Sequence, residues 1–317
     1  MRIVVALGGN ALARRGEPMT AEIQRANAQK AAHSLAALIK VGHQLIVTHG
    51  NGPQVGMLGL QALAGPKDGH YPLDILGAES EGLIGYIIEQ ELRNCLPANA
   101  LVATLLTQTL VDASDQAFLH PTKPVGPVYD EATAGKFAKE RDWHIAQDGD
   151  HWRRVVASPR PIAIVQSDVI LMMVERNITV ICAGGGGVPV VRGRSGALAG
   201  IEAVVDKDAA SSLIAQHLRA DKLLLLTDVD AVFCDFGKPG QQEMARIGAL
   251  TVAPAHFAAG SMRPKIEAAG DFVKATGHEA AIGRLEDALA IVGGTAGTTI
   301  IAGAAVAEMR AMRVSGA

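Results

Sequence analysis

The strongest constraint on this chain is an alternation. Short β-rich apolar runs take turns with longer segments of helical period, and several of the apolar runs end directly in glycines. Runs at 3–7, 45–48, 101–105, 162–165, 178–183, 223–227, 280–283 and 298–302 read as strands that are apolar almost throughout. Segments at 21–41, 53–63, 83–94, 168–176, 208–219 and 264–275 read as helices. In the first of these Ile23, Ala26, Ala31, Leu35, Leu38 and Ile39 share one face, with Thr20 placed to cap its start and Gly42 to stop it. Asp168 and Ser261 stand where further N-caps would serve. Near-continuous apolar strands separated by helices predict an open, mainly parallel sheet covered on both faces, a three-layer α-β-α sandwich. In such sheets ligands bind beyond the carboxyl ends of the strands, so the residues following each strand carry the functional question.

With 317 residues, 49% of them hydrophobic, the chain is large enough for one sizeable core. Aromatics make up only 3%, so that core must be built from Ala, Val, Leu and Ile. A net charge of −3 argues against a general nucleic-acid surface, yet leaves room for a few local cations around a small anion. The three cysteines, Cys95, Cys182 and Cys234, are far apart and form no C-x-x-C, which fits core residues in a reducing cytosol better than disulfides or zinc. The apolar run before Gly8 is too short for a signal peptide. The uncharged stretch at 288–307 is broken by glycines and threonines and reads as a loop followed by a short strand, not a membrane span. Residues 115–160 interrupt the alternation. They hold Pro121, Pro124, Pro127 and Pro159, both tryptophans and no long periodic helix, and read as an inserted lid subdomain.

Three glycine clusters follow strands: Gly8-Gly9-Asn10, Gly50-Asn51-Gly52 after His49, and the run 184–187, including Gly185 and Gly186. Glycine lets backbone N–H groups approach an oxyanion, and a following helix adds its positive end. There is no G-x-x-x-x-G-K-[ST], and Val55 stands where G-x-G-x-x-G needs its last glycine. Lys123 lies in a proline-framed turn of the insert, Lys207 just before a helix, and Lys265 in the first turn of another. A cation at a helix start opposes the macrodipole unless an anion binds there. Together these parts describe a phosphoryl-transfer site. Glycine loops would cradle donor and acceptor, lysines would neutralise the moving group, Asp208 would hold two ammonium groups in place, and Mg²⁺ would arrive on the nucleotide phosphates.

The motifs ALGGNA at 6–11, THGNGPQVG at 48–56, PTKPVGP at 121–127, WRRVV at 152–156, AGGGGVPVV at 183–191, EAVVDKD at 202–208 and GSMRPKIEAA at 260–269 run through nearly the whole chain. In that order they resemble the carbamate kinase branch of the amino acid kinase superfamily. The resemblance implies a single amino acid kinase domain over 1–317, with 115–160 as the inserted lid, and a cytoplasmic homodimer. It implies the reaction ATP + carbamate ⇌ ADP + carbamoyl phosphate, often run toward ATP in arginine breakdown. Carried over by motif, Gly8, Gly9, Asn10, Gly50, Asn51 and Gly52 would hold carbamate and the moving phosphoryl group. Lys123 would close from the lid, Lys207 and Lys265 would neutralise charge, and Asp208 would organise them. Thr227, Asp228, Val229, Val232, Gly237, Lys238, Pro239 and Met262 would line the nucleotide. Carbamate is already an oxyanion, so no strong general base is required, and His49 is read as packing or as a substrate contact. Two departures stand out. Glu79 and Glu81 are acidic where the family more often has Met and Gln, which reads as a capping variation early in a helix or an altered subunit contact. Asp228 stands where some members have glycine. Another small carboxylate acceptor, a catalytically silent anion sensor and a nicotinamide oxidoreductase remain the competing readings.

Overall fold

A computed structural model describes residues 1–9, 17–65, 71–238, 240–250, 257, 262–303 and 308–309. The expectations for Asn10, Pro239 and Ser261 lie outside the described residues. The chain opens with β1 (Arg2–Leu7), α1 (Ala21–Lys40), β2 (Gln44–His49), α2 (Gly52–Ala64), α3 (Leu73–Cys95) and β3 (Val102–Leu105). Thr20 caps α1 by accepting the Ile23 N–H at 3.3 Å, and Gly42, with φ +91°, turns the chain out of it. Next come β4 (Gln108–Leu110), β5 (Lys123–Tyr129), α4 (Glu131–Arg141), β6 (Ile145–Asp148), β7 (His151–Val156) and β8 (Ala163–Ile164). The remainder is α5 (Ser167–Glu175), β9 (Thr179–Cys182), β10 (Val188–Arg192), β11 (Leu198–Gly200), α6 (Lys207–His217), β12 (Lys222–Thr227), β13 (Val232–Cys234), β14 (Gln242–Gly248), α7 (Met262–Thr276), β15 (Glu279–Arg284), α8 (Ala288–Val292), β16 (Thr298–Ile301) and β17 (Glu308–Met309).

The main sheet runs β13-β14-β16-β15-β12-β1-β2-β9-β3, with β17 beside β14. Its centre is parallel; β16 pairs antiparallel with β15, and β14 pairs antiparallel with β13 and β17. Alternate residues of the central strands feed opposite faces. Ile3, Val5 and Leu7 join Leu45, Val47, Leu224 and Leu226 under α1, α3 and α8. Val4 and Ala6 join Ile46, Leu223 and Leu225 under α5, α6 and α7. This is the three-layer α-β-α sandwich with a mainly parallel sheet that the alternation predicts. The core is aliphatic, as the scarcity of aromatics requires; Phe272 is the aromatic among its largest fully buried side chains.

Several local expectations change. The run at 162–165 contributes only β8, and β8 lies in a second sheet, β11-β10-β4-β8, outside the main one. The helix read at 83–94 begins earlier, at Leu73. The residue at the N-cap of α5 is Gln166; Asp168 sits in the first turn and pairs with His217 at 3.2 Å. Of the cysteines, Cys182 is buried, whereas Cys95 and Cys234 are half-buried, and all three are free thiols.

The insert holds a three-stranded antiparallel sheet, β5-β7-β6, and α4. That helix escaped the sequence reading because it has almost no apolar stripe: Ala134 is its buried residue. Asp130 caps it through the Thr133 N–H, and an aromatic stack fixes it in place. Tyr129 meets Phe137 edge-on at 5.1 Å, Phe137 meets Trp143 at 5.6 Å, and the Arg141 guanidinium lies 4.1 Å from the Phe137 ring centre. The ends of the insert meet: the Arg160 N–H donates to Asp115 at 3.0 Å. The insert rests on the main body where Val125 and Val156 pack with Val55, Leu73 and Leu76.

At that seat two backbones touch. A Cβ on Gly56 of α2 would fall 2.0 Å from the Gly126 Cα, and Gly126 itself has φ +75°. In an exposed helix, Gly→Ala gains about 1 kcal/mol. Here the added methyl has nowhere to go, so Gly56→Ala should instead lose at least about 2 kcal/mol in urea unfolding. Unchanged or raised stability would show that the contact is absent.

Candidate active site

Three strand ends converge. The Gly8 N–H donates to Leu226 O at 2.9 Å, and the Gly50 N–H donates to Leu7 O at 3.0 Å, so the turns leaving β1 and β2 are hydrogen-bonded into the sheet. A Cβ on Gly50 would lie 2.9 Å from the Gly9 N, and one on Gly185 would lie 2.0 Å from the Asn51 side chain. One on Gly186 would lie 2.5 Å from Val205 O, next to the start of α6. The three glycine clusters therefore abut one another, and side chains would force them apart. In the third loop Gly185, Gly186 and Gly187 all have positive φ, as does the preceding Ala183 at +48°. A non-glycine residue held in the left-handed region costs of order 1 kcal/mol and persists only where its surroundings impose it.

Behind the loops stands α3. Ser80 accepts a hydrogen bond from Asn51 Nδ2 at 2.8 Å and donates to Gly77 O at 2.7 Å. Glu81 Oε1 accepts from the Gly184 N–H at 2.9 Å, while its Oε2 accepts from the Thr107 N–H at 3.3 Å. Thr107 Oγ1 in turn receives the Ala183 N–H, and Thr109 Oγ1 donates to Gly186 O at 2.6 Å. The expectation of a capping variation early in a helix is therefore corrected. Glu81 lies well inside α3, is buried, and fastens the third glycine loop. Burial pushes its carboxyl up to about 7, against the backbone N–H groups of Gly184 and Thr107 that favour the charged form.

His49 is fully buried against the same Gly184, where a Cβ would meet its ring at 2.3 Å. Burial pushes its imidazole down to about 4, and the charge of Lys207 acts in the same direction. Its Nδ1 lies 3.2 Å from Gly50 O, which fixes the neutral tautomer with the proton on Nδ1. Among the described residues Nε2 has no hydrogen-bond partner. His49 thus packs the loop junction as a neutral ring.

The charged centre is assembled from two helix starts. Asp206 caps α6, its Oδ1 accepting the Asp208 N–H at 2.9 Å and the Ala209 N–H at 3.2 Å. Ser211 ties that first turn to the sheet, donating to Lys207 O and meeting Thr48 Oγ1 at 2.6 Å. Asp208 Oδ1 lies 2.7 Å from the Lys207 ammonium, and Oδ2 accepts from Lys265 Nζ, on α7, at 3.0 Å. All three side chains are nearly buried. Burial alone would raise the Asp208 carboxyl, but the two ammonium groups outweigh it and hold it far below the usual range. For Lys207 burial wins and lowers the ammonium, and Lys265 acts in the same sense. For Lys265 burial lowers the ammonium, but the charge and hydrogen bond of Asp208 together with the charges of Asp206 and Asp228 outweigh it and raise it. Asp208 Oδ1 takes one of the three Lys207 N–H bonds, which leaves the ammonium donors for a further acceptor. From the insert, the Lys123 ammonium reaches Asp206 Oδ2 at 2.5 Å.

The segment expected to line a nucleotide is divided. Thr227, at the end of β12, donates to Asp228, and Asp228 acts electrostatically on Lys265. Val229 and Met262 are half-buried, while Gly237 and Lys238 are exposed; Lys238 pairs with Asp235 at 3.2 Å. Val232 is fully buried in the core with its N–H on Thr298 Oγ1, so its side chain offers no open surface there. Sequence reasoning missed Asp206, Ser80 and the fastening role of Glu81. An Asp directly before a Lys-Asp helix start was the available signal for the first; nothing local announced the other two.

The Glu81 carboxyl binds its proton more tightly in the folded chain than in the unfolded one. Between about 4.5 and 7 the folded state therefore holds more protons, and stability falls as pH rises through that window. Glu81→Gln should remove this slope. The stability difference between the variant and wild type, from urea unfolding at pH 4.5 and 8, should move in the variant's favour by on the order of 3 kcal/mol. Parallel pH dependences would contradict the buried, titrating carboxyl.

The amino acid kinase family model matches residues 1–284. The carbamate kinase of Rhizobium meliloti is 51% identical over 302 residues, covering 95% of this chain and 93% of that protein. That of Haemophilus influenzae is 51% identical over 300 residues, covering 95% and 96%. Among solved structures, carbamate kinase from Giardia lamblia bound to AMP-PNP superposes with a TM-score of 0.86 at 40% identity, covering 95% of this chain and 98% of that one.

Proposed function

Since the chain belongs to the amino acid kinase family and its relatives at 51% identity are carbamate kinases, we propose that it transfers a phosphoryl group reversibly between ATP and carbamate, giving ADP and carbamoyl phosphate. The observation that carries the reading is the Asp208-braced pair Lys207 and Lys265 beside three abutting glycine loops. Phosphoryl transfer between two anions asks for positioning and charge neutralisation more than for proton transfer. The loops at Gly8 and Gly9, at Gly50, Asn51 and Gly52, and at Gly185 and Gly186 border carbamate and the moving group; the N–H groups of Gly8, Gly50 and Gly186 hold the loops in shape, on Leu226 O, Leu7 O and Ala183 O, and do not contact the anions. Lys207 gives its unpaired N–H bonds to phosphoryl oxygens, and Lys265 balances the charge that develops toward the nucleotide. The neutral His49 ring does not serve as a base; carbamate already carries the attacking oxygen.

Thr227, Asp228, Val229, Gly237, Lys238 and Met262 border the nucleotide, with Val232 contributing backbone only. ATP and ADP bring Mg²⁺ on their phosphates. Among the described residues no group of three His, Cys, Asp or Glu side chains gathers to hold a metal. The insert acts as a lid that carries Lys123 to the site. The chain works as a homodimer. Leu101, Leu106, Ile162, Val165, Val169 and Met172 are exposed on the β3 edge and the adjoining β8–α5 segment, an apolar area that a second copy would cover. ATP synthesis during breakdown of arginine or related nitrogen compounds suits the reverse reaction, and three free thiols suit the cytoplasm. No described helix is long and apolar enough to cross a membrane.

The test is ATP formation from ADP and carbamoyl phosphate in a coupled assay, with acetyl phosphate as the control donor. Preference for acetyl phosphate would transfer the assignment to another carboxylate, and absence of turnover with either would favour a sensor. Lys207→Ala and Lys265→Ala should each reduce turnover by more than about 10²-fold; near wild-type rates in either would remove that lysine from the mechanism. Replacing 116–159 by a short Gly/Ser linker across the adjacent Asp115 and Arg160 should leave the main sheet folded by circular dichroism. The same change should abolish transfer, and retained activity would refute the lid.

A further inference from the structure

One carboxylate serves both halves of the molecule. Asp206 Oδ1 is committed to α6, where it accepts the Asp208 and Ala209 N–H groups. Its Oδ2 is committed to the insert, where it holds the Lys123 ammonium at 2.5 Å. Lys123 is the first residue of β5 and is paired across to Val156 of β7. Just beyond β7, Ala157 O receives the Val204 N–H at 3.0 Å, so the base of the insert is bonded to the strand of chain that delivers Asp206. Val205 O in turn lies against Gly186 of the third glycine loop. The charge of Asp206 also favours the ammonium form of Lys265 and opposes the burial that lowers Lys207. The Lys123–Asp206 pair is half-buried, screened enough to persist and open enough for exchange with an incoming anion.

We infer that Asp206 is a positioning residue: it holds the Lys123 ammonium beside the Lys207–Asp208–Lys265 centre and thereby fixes the insert to the helix start that carries the reacting charges. This rests on the phosphoryl-transfer reading above. When a phosphoryl oxygen enters, Lys123 exchanges one charge-assisted hydrogen bond for another and is never stripped of a partner. Asp206 keeps its cap bonds throughout, so the helix start does not move as the lysine changes partner.

Asp206→Asn separates the two duties, because Asn caps a helix about as well as Asp but carries no charge for Lys123. Its melting temperature should stay within about 3 °C of wild type. In the unliganded protein, amide hydrogen exchange of β5 should quicken to the rate seen in Lys123→Ala. ATP formation should fall about tenfold, with the KM for ADP changed less than about twofold. In the Lys123→Ala background the same substitution should cost less than about twofold, because the group it positions is gone. Equal losses in both backgrounds, or β5 exchange unchanged by either substitution, would overturn the inference. Asp206→Ser keeps a capping hydroxyl and serves as the second variant. If neither variant folds, the cap and the clasp are not separable and the inference falls. The exchange measurement needs no substrate, so it distinguishes this failure from a failure of the proposed reaction, which would appear as wild-type protein making no ATP.

Discussion

A single buried carboxylate sets the terms for the rest of the site. Asp208 lies between two nearly buried ammonium groups, 2.7 Å from one and 3.0 Å from the other. Without it, Lys207 and Lys265 would face each other in a low-dielectric pocket as like charges, and burial would favour discharging one of them. The Asp208 charge favours the ammonium form of both lysines against burial, which in the proposed reaction suits neutralisation of a group moving between two anions. The cost is rigidity. α6 must start at one place and α7 must approach from one direction. Hence the cap by Asp206 and the Thr48–Ser211 tie that seats the first turn of α6 on β2.

Steric exclusion governs the backbone half of the site. The glycine loops are in contact, and each lacks room for a side chain at the point where it meets the next. Their shape is then held from behind by α3. Ser80 and Glu81, neighbours on one helix, reach two different loops, Ser80 through Asn51 and Glu81 through Gly184. A charged or titrating group is an unusual fastening at such depth. It works because two backbone N–H donors offset part of the desolvation that burial imposes. His49, neutral and lodged against the same glycine, fills the remaining space without adding charge.

Much of this was legible in the chain because it depends on local pattern. Fully apolar runs between helical segments gave the central strands and the helices that cover them, since strands buried on both faces carry few polar residues. Glycines directly after strands marked the loops. The misreadings occurred where tertiary contact outweighs pattern. α4 lacks an apolar stripe because it packs through Phe137 and a stack of aromatic and guanidinium groups, not along a face. The run at 162–165 looks like a core strand but lies in the small second sheet that borders the insert. Val232 lies in a segment that matches a nucleotide border, yet its side chain points into the core.

By itself the sequence determined the layered architecture, the three glycine turns and the identity of the ionisable residues near them, because periodicity, glycine placement and helix starts act over a few residues. Only the tertiary structure decided which charges meet. Lys265 and Asp208 are 57 positions apart, Lys123 and Asp206 are 83, and Glu81 and the Gly184 N–H it holds are 103. Such pairs are chosen by how helices cross a twisted sheet and where an insert folds back. Coulomb energy and hydrogen bonding depend on distances of a few ångströms that no local pattern encodes.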